Sequence, residues 1–129
     1  MRSLALALLI AAGNAGAVDT YSSSPGATDA LSGARALIAQ KNWAGAVDEL
    51  KRLNAADSAD WNNLMGFALR KSPQPDLAAA ERFYDAALRI DPKHRGALEY
   101  SGELFLMLGD LPRAEQRLAT LDKACFLPC

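Results

Sequence analysis

The chain has 129 residues and a formal net charge of -1; half of it is apolar and 22% is charged. That is the make-up of one globular domain. It carries no excess of cations of the kind that binds nucleic acid; its two cysteines sit together at the end of the sequence and its one histidine is His94.

The first stretch, "MRSLALALLIAAGNAGAV", differs in character from the rest of the chain. Arg2 is its one cation, Leu4 to Ala12 form an apolar run, and the small residues Ala15, Gly16 and Ala17 come next. This is the layout of a secretory signal peptide, 1–17, ending at a small-residue cleavage site. The run is too short to span a bilayer, which takes about 20 apolar residues. The expectation is therefore an exported protein, periplasmic or secreted, with cleavage near Ala17 and no membrane span. Residues 18–29 are rich in Ser, Pro, Gly and Thr and read as a flexible lead-in.

From Ala30 onward apolar residues recur at three- and four-residue steps, the period of amphipathic helices. There are six such segments, at about 30–40, 43–54, 60–71, 77–90, 94–108 and 111–123. No stretch has the two-residue alternation of a strand. Asn42, Asp76 and Asp110 stand just before the second, fourth and sixth segments. Asp76 and Asp110 suit the N-cap, where a carboxylate accepts orphan backbone N–H bonds and meets the positive helix end. "SPQPD", "DP" and "GD" punctuate the later turns. Pro112 falls in a first turn, where its missing N–H costs little. His94 comes after Asp91-Pro92-Lys93 and reads as a solvated turn residue. Arg70 and Lys71 end the third segment, where cations suit the negative helix terminus.

The segments repeat. With Trp43, Leu77 and Leu111 in register, Ala46, Ala80 and Ala114 fall together, then Leu50, Tyr84 and Leu118, and then Leu53, Ala87 and Leu121. In the preceding segments Ala34, Gly66 and Gly102 are small, with Leu37, Leu69 and Phe105 three residues on. A small side chain at a helix contact lets two axes approach, and a large one a turn away fills the space beside it. Repeated helix pairs cannot bury their apolar faces alone, so about three must stack before they share an interior. Three pairs leave the last one with an uncovered face, where Leu118 and Leu121 should be exposed. A partner or a second copy of the chain, giving a homodimer through the last helix, could cover it.

The stretches "WNNLMGFALRK", "DLAAAERFYDAALRIDP" and "ALEYSGELFLMLGDLPRAEQRL" resemble the tetratricopeptide repeat, a 34-residue helix–turn–helix unit. The resemblance covers about 29–125, and short secreted bacterial proteins of this type look nearest. Trp61 sits one position off the usual place, the middle unit has two extra residues at "SPQP", and the first unit lacks a closing Pro. What the resemblance implies is an all-α fold, an α-solenoid of three antiparallel helix pairs forming a superhelix over 30–124, ahead of a Cys-containing tail, 125–129. It also implies a non-catalytic scaffold for a protein or peptide ligand, which would lie on the concave face lined by the first helix of each pair. By register that face takes Arg35 and Ile38 from the first unit, Asn63, Phe67 and Arg70 from the second, and Glu99, Glu103 and Leu106 from the third. Phe67 is the foremost apolar anchor. The family's carboxylate-clamp pattern is not matched, since Leu31 and Arg35 stand where it calls for Lys and Asn.

No nucleophile–base pair, phosphate loop or metal-ligand helix pair is visible, so neither an enzyme nor a cofactor is expected. Glu99 and Glu103, four apart on one helix face, read as a solvated or groove-lining face. "CFLPC" leaves more than one reading open. A Cys125–Cys129 disulfide would close a loop of about five residues and add roughly 2 kcal/mol at best. The two residues could instead be free or intermolecular thiols, or a soft-metal or redox pair. That last option gives the alternative function, a metal- or redox-handling protein. A structural subunit dimerising through its last helix is another.

Overall fold

The computed structural model describes residues 29–125. The expected signal peptide, most of the lead-in and the tail beyond Cys125 lie outside the described residues. Within them the fold is all-α: α1 (Ser32–Ala39), α2 (Trp43–Leu53), α3 (Ala59–Lys71), α4 (Leu77–Ile90), α5 (Arg95–Met107) and α6 (Leu111–Ala124). Helices pack chiefly with their sequence neighbours, as the pairs α1–α2, α3–α4 and α5–α6. α3 also lies against α1 and α2, and α5 against α3 and α4, so each pair is seated on the one before it.

Local chemistry fixes where the helices begin. The side chains of Asn42, Ser58, Asp76, His94 and Asp110 each accept a hydrogen bond from the backbone N–H three residues on, at 2.9–3.2 Å. α1 lacks such a cap of its own, and Asp29 serves its entry instead by accepting from the Leu31 N–H at 3.1 Å. The turns inside the first and third pairs repeat at the backbone level. Lys41 and Gly109 both take positive φ, 58° and 72°. In each case the next residue's N–H closes a wide loop, from Asn42 to the Leu37 carbonyl and from Asp110 to that of Phe105. This is the left-handed helix exit that glycine makes without strain. The middle pair replaces it with the longer Ser72–Asp76 turn, closed from Asp76 N–H to the Leu69 carbonyl at 3.3 Å.

The register of small residues governs packing. Ala46 and Ala80 are fully buried, and Ala114 nearly so. Large side chains fill the space beside them, Leu50 and Tyr84 with no exposure at all. A buried aliphatic side chain such as Leu50 contributes about 1.5–3 kcal/mol by leaving water. Two clusters result. One joins Leu31, Ala34, Leu50, Trp61, Leu64 and Met65; the other joins Tyr84, Ala97, Leu104 and Phe105 with Ala80, Ala87 and Ala114. Leu69 packs against both.

Candidate functional site

The eight residues of the expected concave face divide into three sets. In the first unit Arg35 is exposed and makes ion pairs with Asp29 at 3.2 Å and Asp60 at 3.5 Å. Ile38 is half-buried against the first core cluster. The carboxylate of Asp60, at the start of α3, also reaches His94 Nε2 at 2.8 Å. Arg35, Asp60 and His94 thus run as a polar string across α1, α3 and the entry to α5. His94 is not the solvated turn residue expected from its position. Its Nδ1 accepts the Ala97 N–H, and its side chain is only 14% exposed. Nothing in the local sequence signals this, because histidine is an uncommon cap and its other partner lies 34 residues away.

The second unit supplies a wedge between pairs rather than an open surface. Phe67 is half-buried, with its ring centroid 6.1 Å from Trp43 and 4.7 Å from Tyr100. Asn63 is buried where α3 meets α5, and its Nδ2 lies where a Cβ on Gly96 would come within 2.9 Å. Arg70 lies in the last turn of α3, as its helix-end reading expects, but it is only 6% exposed. Its Nε donates to the Tyr84 hydroxyl at 3.3 Å, and its Nη2 pairs with Glu103 at 2.6 Å. The guanidinium also lies 5.6 and 5.8 Å from the Phe67 and Tyr100 rings, within range of a cation–π attraction. Burial pushes the Tyr84 hydroxyl up to about 12, against the pull of the Arg70 hydrogen bond and charge.

The third set lines a groove. Glu99, Glu103 and Leu106 of α5 face Ala114, Glu115 and Leu118 of α6 across a cleft of about 260 Å³. Leu98 and Gly102 on the α5 side and Leu121 on the α6 side complete its lining. Leu106 and Leu118 are each 57% exposed. Among the described residues the large exposed apolar ones, apart from Ile90, are Leu106, Met107, Leu108, Leu111 and Leu118, all in the last pair or its turn. Such a concentration at one end is unlike scattered surface leucines, which need no explanation. Leu118 is as exposed as the sequence leads one to expect, and Leu121 is half-buried. The cleft therefore draws on one unit of the expected face and on the open side of α6. Register alone does not show that these two surfaces meet.

Cys125 comes directly after α6 and is disulfide-bonded; Cys129, the chain's other cysteine, lies outside the described residues. Among the described residues no cluster of three or more His, Cys, Asp or Glu is placed to hold a metal ion. No helix among them is long and apolar enough to cross a membrane.

Comparison with protein-family models and with curated proteins found no match.

Proposed function

We propose that the protein is a non-catalytic binding scaffold of tetratricopeptide type, taking a protein or peptide segment into the groove between α5 and α6. The observation that carries this reading is the apolar cleft flanked by exposed Leu106 and Leu118. Apolar side chains held on the surface at one end of a helical stack gain free energy when a complementary segment covers them. The stacking itself favours this seat. α3 covers the α1–α2 pair and α5 covers α3–α4, whereas α5–α6 has no further helix upon it among the described residues. The working place of such a scaffold is outside the cytoplasm, on the strength of the apolar N-terminal run and the small residues after it.

Peptides selected from a displayed library on the full chain test this directly. They should lose at least about tenfold in affinity, roughly 1.4 kcal/mol, with Leu118→Asp. The side chain is exposed, so helicity and melting should stay close to those of the parent. Binders indifferent to Leu118→Asp would reject the groove as the site.

A further inference from the structure

The groove has an apolar floor and an acidic rim. Three glutamates line it, Glu99, Glu103 and Glu115, almost wholly through their aliphatic stems, and no lysine or arginine does. Glu103 is already neutralised by Arg70. Glu99 and Glu115 are both exposed and have no ion-pair partner among the described residues. An occupant wider than the apolar lining brings its flanks up to these two carboxylates. That is costly unless it returns opposite charge to them.

The shape of the seat is set by the repeat. α3 and α5 each pack on the helix pair that precedes them, and a helix placed in the same way on α5–α6 would lie over this groove. Its contact face needs apolar residues three and four apart, to meet Leu106, Leu118 and the floor. A second copy of the chain fits poorly. A two-fold dimer closed over this face gathers Glu99 and Glu115 from both protomers in one interface. Nor can the arginines of α6 offset them freely: Arg113 pairs with Glu81 and Asp110, and Arg117 with Asp85, within their own chain.

Resting on the binding reading above, we propose that the occupant is an amphipathic helix from another protein, with lysines or arginines flanking its apolar stripe. Cations on both sides of the stripe would meet Glu99 on α5 and Glu115 on α6. Like charge there would repel, so the rim selects among helices that the apolar floor alone would accept.

Two synthetic helical peptides on one leucine–alanine scaffold, one flanked by lysines and the other by glutamates, test this by fluorescence anisotropy on the full chain. The lysine peptide should bind about tenfold tighter or better, and the gap should narrow as salt rises. The double variant Glu99→Lys/Glu115→Lys should reverse the preference, and Leu118→Asp should weaken both peptides. If Leu118→Asp weakens both but the preference is absent or survives charge reversal, the acidic rim does not select and this proposal fails while the groove reading stands. If neither peptide binds, or if Leu118→Asp changes nothing, both fail. A concentration-dependent dimer dissociated by Leu118→Asp would show the groove filled by a second copy and overturn the heterotypic partner.

Discussion

Gly66 and Gly102 occupy the same place in successive units, and alanine should act on them with opposite sign. In a helix interior alanine is better than glycine by about 1 kcal/mol, through the smaller entropy it loses on folding. A Cβ on Gly102 would meet only Arg117 Cβ, at an ordinary 3.6 Å, so Gly102→Ala should keep most of that gain. A Cβ on Gly66 would lie 2.8 and 2.9 Å from ring carbons of Tyr84 and 3.1 Å from the Ala80 carbonyl oxygen. Neither neighbour can yield easily. Tyr84 is fully buried with its hydroxyl held by Arg70, and the Ala80 contact is backbone within α4. Overpacking of this kind costs about 1–3 kcal/mol, and two rigid walls place it near the top of that range. After the helix-propensity gain is subtracted, Gly66→Ala should lose about 2 kcal/mol. For a domain of this size that lowers the melting temperature by about 8–16 °C. Urea unfolding followed by circular dichroism at a constant m-value gives the two differences on one scale. Gly66→Ala as stable as the parent, or shifts of the same sign at both positions, would refute the claim that Gly66 marks the closest approach of α3 and α4.

Lys41→Gly should stabilise the fold by up to about 1 kcal/mol, because Lys41 holds the positive φ that Gly109 occupies in the equivalent turn; thermal melts would show it, and a loss would contradict the turn assignment. Tyr84 is protonated in the folded state up to about 12 and ionises near 10.0 when unfolded. Its contribution is therefore intact below pH 10 and is lost as pH rises from there to about 12. Tyr84→Phe should show a shallower alkaline loss than the parent, and equal slopes would sink this. Phe67→Ala should cost about 3–4 kcal/mol, because its ring is wedged between Trp43 and Tyr100; a change under about 1 kcal/mol in urea unfolding would mean the ring does not join the pairs. Asp60→Ala should cost less than about 1 kcal/mol, since its partner Arg35 is exposed and water replaces much of the ion pair. A larger loss in the same assay would mean that the contact with His94 anchors α3 to α5.

Helix positions are legible in the sequence because their signals are local. The apolar period marks all six segments, and Asn42, Asp76 and Asp110 mark three starts; the ends agree to within about two residues. The alanines at 46, 80 and 114 are legible through repetition, since the same small residue recurs at the same step. The roles of Phe67, Arg70 and His94 are not, because their partners Tyr100, Glu103 and Asp60 each lie about one repeat away in the chain. Register places a side chain on a face, but not how far a neighbouring pair closes over it. Arg70 reads as an end charge for this reason: the carboxylate, phenol and two rings that enclose it come from other helices or other turns of its own. The α5–α6 groove is half legible, with one wall assigned to the expected face and the other recognised only as an uncovered edge.

The two apolar clusters share Leu69, at the middle of the stack, and that position sets the order in which the protein can come apart. Amide protons near the two ends of the helical stack should exchange with solvent through partial openings, while those around Leu69 wait for complete unfolding. Variants that shorten Leu69 should lower protection at the centre and leave the faster exchange at the ends unchanged.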